Sequence, residues 1–197
     1  MKRAVFVVMA ATALGATTPA FAQSAASAYT PLDLDKCRHT PSKEVEDYGE
    51  WRCMGYGGSA VRVTAGDQRI YVSFGRNAKN EPAAKQTLAS FNSEGKAIEW
   101  RGMRSADGKL VPYATIMRWN VTKSAEEPPV RGQVLVVTRL GPGGVCHVGY
   151  VDARANYDAN ALAQKIADQS ARNFKCGADK AIILGNKGPG FSGSYDD

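Results

Sequence analysis

Apolar and polar residues alternate along several stretches of the chain, and this alternation predicts antiparallel hairpins. Residues 61–64 and 69–74 both show a period of two, and a glycine-containing turn at 65–67 separates them. That arrangement is typical of a β-hairpin. Residues 98–101 begin a second hairpin, which turns at an Asp-Gly pair and returns as a long strand over 110–119.

The second half of the chain predicts three more strands. Residues 134–137 form an unbroken apolar run, as expected for a central strand that is covered on both faces. After a glycine-rich turn, 145–151 returns beside it, and 181–184 has the composition of a short final strand. Pro112 lacks a backbone N–H, so we expect an edge position or a bulge near it.

Two segments carry a helical period. Asn80 can cap a short helix in which Ala84, Leu88 and Phe91 share one face. A longer helix is predicted to begin at Asp158 and to stop at Gly177. Its apolar face combines large and small side chains, which suits packing on a sheet: Leu162, Ala163, Ile166, Ala167, Ala171 and Phe174.

Together these elements predict a single α+β domain over residues 23–184. We expect a mostly antiparallel sheet of six or seven strands, packed by one long C-terminal helix, with one short helix and two disulfides. Residues 23–30 are small and polar and predict a mobile leader, and 31–58 predict an irregular segment. Residues 185–197 are rich in Gly, Ser and Asp and predict a disordered tail.

The N-terminus has the pattern of a cleaved secretory signal peptide over residues 1–22. Lys2 and Arg3 precede a 13-residue stretch of apolar and small residues, and Ala20-Phe21-Ala22 fits the small-x-small cleavage rule. We therefore predict a cut between Ala22 and Gln23 and a periplasmic or secreted protein, without a transmembrane segment in its mature form.

Four cysteines predict two disulfides in an oxidising compartment. Three connectivities are possible, and we favour Cys37–Cys53 with Cys146–Cys176 because each pair brackets one local unit. A zinc site is disfavoured because the chain has no CxxC pair and its two histidines, His39 and His147, are far apart in sequence. We predict neither a metal nor a cofactor.

The chain is mildly basic, and the size of its net charge favours some classes of partner over others. The formal net charge is +6, and loss of Lys2 and Arg3 would lower it to +4. Nucleic-acid binders usually carry a denser basic cluster, so we predict no nucleic-acid partner. An envelope protein or an anionic envelope polymer remains a possible partner, and we predict a monomer.

Few residues could carry out catalysis. The chain contains no HExxH, GxSxG or CxxC motif, so His147 is the principal candidate for a small envelope hydrolase. Asp152 follows it at +5, which places the two on opposite faces of a regular strand unless a bulge intervenes. We therefore predict a non-enzymatic binding protein of the envelope.

The candidate binding surface consists of long polar side chains on predicted strands. Arginine and tyrosine on a rigid sheet suit recognition of carboxylates, phosphates or a protein partner. The members are Arg62, Arg69, Tyr71, Arg101 and Arg118, with Glu99 beside them.

Segments spread over residues 29–176 resemble a group of small, exported, uncharacterised bacterial proteins. The resembling segments are 51–58, 72–75, 98–101, 132–138 and 146–153. The resemblance implies a periplasmic setting and brings no activity with it.

A second resemblance, to periplasmic inhibitors of c-type lysozyme, rests on Ser105-Ala106-Asp107-Gly108-Lys109 at the predicted hairpin turn. Asp107 replaces the second serine of that family's loop, and Leu110 stands where a tyrosine is expected. An added acid would be repelled by a carboxylate-lined cleft.

Overall fold

A computed structural model of the chain describes residues 24–42, 48–124 and 127–194. The predicted signal peptide and its cleavage site lie outside these residues. The described part contains ten strands and one helix that begins as α and continues as a π-helical turn. The strands are β1 Ala25–Pro31, β2 Arg38–Pro41, β3 Gly49–Met54, β4 Ala60–Gly66, β5 Arg69–Phe74, β6 Phe91–Arg104, β7 Leu110–Lys123, β8 Val130–Arg139, β9 Cys146–Asp152 and β10 Ile182–Ile183.

The helix α1 spans Ala159–Ile166 in α geometry and continues through the π-helical turn Ala167–Ala171. Single 3-10 turns occur at Leu34–Lys36, Tyr56–Gly58, Ala78–Asn80 and Pro82–Lys85.

The strands form two sheets. The larger has six strands in the order β1-β6-β7-β8-β9-β10, and the smaller has four in the order β2-β3-β4-β5. The named neighbours are antiparallel, except that β10 runs parallel to β9. One core lies between the two sheets, and a second lies between the six-stranded sheet and α1. The described chain is therefore built in three layers.

Aromatic and branched side chains fill the core between the sheets, whereas small ones dominate under α1. Phe74 and Trp100 meet edge to face with ring centroids 5.6 Å apart. On the opposite face of the larger sheet, Ala163, Ala167 and Ala171 are completely buried. Small residues at that spacing let a helix lie close to the sheet.

Both predicted disulfides and both predicted hairpins are confirmed. Cys37 is bonded to Cys53, and Cys146 is bonded to Cys176. The pairs β4–β5 and β6–β7 are antiparallel, and Gly108 has φ +79° in the Asp-Gly turn. The predicted bulge near Pro112 is also present, because the register between β6 and β7 shifts by one residue at Gly102.

The mostly antiparallel sheet content is confirmed, but the prediction of one sheet with six or seven strands is wrong. Residues 31–58, expected to be irregular, contain β2 and β3, which extend the sheet begun by β4. Residues 23–30 are expected to be a mobile leader, but β1 begins at Ala25 and pairs along its whole length with β6. Backbone pairing and the Cys37–Cys53 bond hold these segments, and neither requires an alternating side-chain pattern.

The helices are shorter than predicted. The C-terminal helix has 13 residues over Ala159–Ala171, so describing it as long is wrong. Cys176 is tied to β9, and this attachment limits how far the helix can run. The predicted short helix is reduced to two 3-10 turns. The residues that follow are extended: the Thr87 hydroxyl donates to the Ile70 carbonyl oxygen on β5, and the Asn92 amide donates to the Leu88 carbonyl oxygen.

The segment 185–194 makes specific contacts where its composition favours disorder. Its Gly188 amide donates to Asp152 Oδ2, and Phe191 packs at the margin of the core between the sheets. Ser192 is buried, and its hydroxyl oxygen accepts a hydrogen bond from the Ser90 amide at 2.9 Å. This C-terminal segment therefore closes one end of the sandwich.

Candidate functional site

The structure distributes the five predicted surface residues over two sheets. Arg62 and Tyr71 lie on the outer face of the four-stranded sheet, and Arg69 is at the start of β5 in that sheet. Arg101 and Arg118 lie on the helix-bearing face of the six-stranded sheet, on β6 and β7. They do not form one continuous surface.

Three arginines of the smaller sheet, Arg52, Arg62 and Arg69, are paired with carboxylates. Arg62 donates two hydrogen bonds to Glu50 Oε2, at 2.9 and 2.7 Å, and Arg52 donates to Oε1 of the same group. Burial acts to raise the pKa of Glu50, but the hydrogen bonds from Arg52 and Arg62 outweigh it and lower that pKa. Arg69 pairs with Asp67 and lies over the Phe91 ring.

Arg101 is enclosed in a polar cluster between β6 and the helix. Its guanidinium makes two hydrogen bonds to Asp168, at 2.7 and 2.6 Å, and Tyr113 donates its hydroxyl to the same carboxylate. Burial, followed by this hydrogen bond, raises the pKa of Tyr113 to about 12. Burial would raise the pKa of Asp168, but the hydrogen bonds from Arg101 and Tyr113 lower it.

Glu99 belongs to the same cluster. Its side chain is buried, and its Oε1 accepts hydrogen bonds from Ser27 at 2.5 Å and from Gln164 at 2.7 Å. Because Ser27 is on β1 and Gln164 on α1, this carboxylate joins three elements. We call Ser27, Glu99, Arg101, Tyr113, Gln164 and Asp168 the locked cluster.

Arg118 has neutral partners only. Its guanidinium donates to Gln133 Oε1 at 3.1 Å and to Asn160 Oδ1 at 3.3 Å. Gln133 in turn donates to Asn120 Oδ1 at 3.1 Å. This chain of amides connects Arg118 to a groove at the far end of the same sheet face.

The pairing of β7 with β8 places together most of the side chains that line the groove. Asn120 lies opposite Gln133 and Thr122 lies opposite Arg131, so both pairs project from the helix-bearing face. Arg154, in the loop after β9, donates to the Arg131 carbonyl oxygen at 2.9 Å. These five side chains line a polar chamber of about 610 Å³.

A second, mainly apolar chamber of about 310 Å³ shares Arg131, Gly132 and Arg154 with the first. Its Val130 alternates with Arg131 along β8 and therefore projects from the opposite face, toward the smaller sheet. Val130, Ala155 and the C-terminal segment at 188–190 complete its walls. Gly132 permits this wall, because a Cβ there would lie 1.9 Å from the Gly190 oxygen. We call the two chambers, with Arg118 beside them, the arginine groove.

The charge of the arginine groove is not compensated by carboxylates. In the described parts of the chain, no ion pair involves Arg118, Arg131 or Arg154. Asp152 borders the apolar chamber, but its two oxygens accept three backbone N–H groups and the residue is only 2% exposed. Neutral acceptors hold the guanidinium groups of Arg118 and Arg154 in place.

His147 lies inside the molecule. It is 1% exposed, its Nδ1 is 3.0 Å from the Tyr150 hydroxyl, and its Nε2 has no hydrogen-bond partner. Burial lowers its pKa to about 3. In this conformation, a substrate cannot reach Nε2.

A bulge in β9 changes the faces that we expected. The register to β8 shifts between Val137 and Thr138, so His147 and Tyr150 share the face toward the smaller sheet. Regular alternation along β9 would place Tyr150 on the face of Cys146, and the bulge places it on the opposite face. Asp152 also lies on the His147 face, but its carboxylate is bonded to backbone amides and not to the imidazole.

The hairpin turn 105–109 is stabilised by its own side chains. Ser105 Oγ donates to Asp107 Oδ1 and to the Lys109 carbonyl oxygen, and Lys109 pairs with Asp107 at 2.8 Å. The pKa of Asp107 is lowered, first by the hydrogen bond from Lys109 and then by that from Ser105. The acid is thus already paired within the turn.

Sequence reasoning identified Arg118 and missed the rest of the groove. Arg131 and Arg154 lie on different elements, and neither belongs to a motif. The pairing of β8 with β9 and the loop that follows β9 bring them together, and alternation within one strand does not reveal it.

Comparison with known proteins gives no match: no protein-family model, no curated protein and no solved structure is similar to this chain. Within residues 24–42, 48–124 and 127–194, no helix is long and apolar enough to cross a membrane. The same residues contain no cluster of three or more His, Cys, Asp or Glu side chains arranged to hold a metal ion.

Proposed function

We propose that this chain is a non-enzymatic, extracytoplasmic protein that binds an anionic component of the cell envelope in the arginine groove. The observation that carries the proposal is the contrast between two sets of arginines. Arg62, Arg69 and Arg101 are paired with carboxylates, whereas in the described residues Arg118 and Arg154 donate to neutral acceptors and Arg131 forms no ion pair.

Arginine suits this role because its planar guanidinium can bind carboxylate or phosphate oxygens in pairs. Neutral acceptors orient Arg118 and Arg154 without cancelling their charge. An arriving anion would thus meet side chains that are already partly ordered, which reduces the entropy lost on binding. Asn120, Thr122 and Gln133 add neutral polar groups beside the charge.

Two further observations support a binding role outside the cytoplasm. Two disulfides fit an oxidising compartment. His147, the residue that a hydrolase would need, is enclosed between the sheets, and the exposed His39 is stacked on Trp51 with ring centroids 4.5 Å apart.

The test is a titration of the purified chain with inorganic pyrophosphate and with polyphosphate by isothermal titration calorimetry. We compare the wild type with Arg131→Gln/Arg154→Gln. The control is Arg52→Gln/Arg62→Gln, which removes the same charge from arginines that pair with Glu50.

We expect the groove variant to weaken both ligands by about tenfold or more, since each lost charged hydrogen bond contributes about 1.5–3 kcal/mol. The control should retain the wild-type affinity within about threefold, and affinity should fall as salt rises. Absence of binding, or equal loss in both variants, would contradict the proposal.

A further inference from the structure

The arginine groove has two chambers of different chemistry. One is lined by amide, hydroxyl and guanidinium groups from β7, β8 and the loop after β9. The other is formed mainly by Val130, Ala155, Pro189 and the glycines around them. Arg131 and Arg154 belong to both linings, so the positive charge lies where the chambers meet.

From this arrangement we infer that the groove binds an amphiphile whose phosphate group joins a hydroxylated headgroup to a hydrocarbon portion. This inference rests on the proposed function and names the ligand class for the same site. The phosphate lies between Arg131 and Arg154, the headgroup lies along Asn120, Thr122 and Gln133, and the hydrocarbon lies in the apolar chamber.

The polar chamber suits hydroxyl groups because its amides and hydroxyl can both donate and accept hydrogen bonds. Asn120 and Gln133 are already joined to each other and to Arg118, so their orientations are fixed before a ligand arrives. A fixed set of neutral donors and acceptors discriminates ligands by the hydroxyl groups they present.

The mainly apolar lining of the second chamber does not favour binding of a simple polyanion. Its one carboxylate, Asp152, is already bonded to the amides of Arg154, Ala155 and Gly188. Van der Waals walls from Val130 and Pro189 favour a group that leaves water, and each buried methylene contributes to affinity. A neutral lipid, by contrast, would leave both arginines without a counter-charge.

The test compares three soluble probes by calorimetry, each below its micelle concentration where it has one. They are glycerol 3-phosphate, dihexanoyl-phosphatidylglycerol and dihexanoylglycerol, which represent the charged headgroup, the complete amphiphile and the neutral chains. We expect the phosphatidylglycerol to bind at least about tenfold more tightly than glycerol 3-phosphate, as burial of two or more methylenes implies. It should also bind at least about tenfold more tightly than dihexanoylglycerol, which lacks the phosphate and its charged hydrogen bonds to arginine.

A variant of the apolar wall provides the second arm. Val130→Ser should bring the affinity for dihexanoyl-phosphatidylglycerol close to that for glycerol 3-phosphate. The control, Val111→Ser, changes an exposed valine near the opposite end of the same sheet and should keep the tenfold difference.

The outcomes separate the two proposals. Equal affinity for glycerol 3-phosphate and the phosphatidylglycerol would overturn the amphiphile and leave anion binding intact. Equal binding of dihexanoylglycerol would overturn the requirement for phosphate, and binding of none of the probes or of pyrophosphate would overturn both proposals. Binding to vesicles of long-chain phosphatidylglycerol without binding of the short-chain lipid would show adsorption to a charged surface and would also overturn the amphiphile.

Discussion

Arginines lie at both ends of the helix-bearing face of the six-stranded sheet, but their partners differ between the two ends. At the β1–β6 edge, Arg101 is held by Asp168, and buried Glu99 is bonded by Ser27 and Gln164. At the β7–β8 end, Arg118 and Arg131 lack a carboxylate within ion-pair distance in the described chain. The first end joins the helix to the sheet, whereas the second leaves charge available to a ligand.

The comparison shows that an arginine on a strand is an uncertain sign of binding. The two ends differ in the hydrogen-bond partner of the arginine, and the residue type and its exposure do not by themselves distinguish them. A charged hydrogen bond inside the protein stabilises the fold, and the same guanidinium with neutral acceptors can still gain a counter-charge from outside. Four predictions test this distinction between the two ends.

The largest effect is expected from Asp168→Ala. This change leaves Arg101, whose side chain is 14% exposed, without its carboxylate and removes the acceptor of the Tyr113 hydroxyl. We expect the free energy of unfolding in urea to fall by about 2–3 kcal/mol. Asp158→Ala is the control, because Asp158 makes no capping hydrogen bond, and it should cost less than about 0.5 kcal/mol. Equal losses would show that the cluster is not locked.

A smaller loss of stability is expected when a side chain is added to the wall of the groove. Gly132→Ala places a Cβ against the Gly190 oxygen, so the C-terminal segment must shift, and we expect about 1–2 kcal/mol of destabilisation in urea. Gly190→Ala, whose Cβ would lie 2.7 Å from its nearest neighbours, should cost less. Stability unaffected by Gly132→Ala would mean that this wall is not packed as described.

Alkaline pH tests the locked cluster through Tyr113. The pKa of Tyr113 is about 12 in the folded chain and ordinarily 10.0 for a tyrosine, so its contribution to stability is complete below pH 10 and is lost as pH rises toward 12. Between pH 10 and 11, wild-type stability should therefore fall by up to about 1 kcal/mol more than that of Tyr113→Phe. Tyr157→Phe, at a fully exposed position, should follow the wild type. Parallel profiles for the wild type and Tyr113→Phe would contradict the assignment.

The smallest effect on stability is expected at the groove itself. Arg131→Gln/Arg154→Gln removes two charges that have no carboxylate partner, so the free energy of unfolding should change by less than about 0.5 kcal/mol. Relief of repulsion could make the change slightly favourable. Thermal unfolding measures it, and a loss as large as that of Asp168→Ala would end the distinction between the two ends.

Much of the sheet could be predicted because alternation is a local signal. The β4–β5 and β6–β7 hairpins are encoded by a period of two, and the cysteine spacing favours the observed disulfides. The β6–β7 turn contains the expected Gly108, whereas β4–β5 turns at Asp67 and Gln68, just after Gly66. By contrast, β1 consists largely of small residues without a clear period. It forms a strand because it pairs with the edge of β6 and because Ser27 donates a hydrogen bond to Glu99. These partners are far from β1 in the sequence, so a local pattern does not predict the strand.

The groove was hidden for the same reason. Arg131 and Arg154 meet only through the register of three strands and the loop that follows them. The bulge in β9, which turns Tyr150 toward His147, is equally invisible to a pattern that assumes regular alternation. Sequence therefore predicts elements better than it predicts the side chains that neighbouring elements bring together.

The route of the C-terminal segment has a practical consequence. Gly188, Pro189 and Gly190 wall the apolar chamber, and Phe191 packs a few residues later against the core between the sheets. A protease that cleaved after Asn186 would therefore remove part of the proposed binding surface together with Phe191, which packs against the core. Samples that suffer such clipping during purification should lose heat stability and ligand capacity together, and intact-mass analysis should precede every binding measurement.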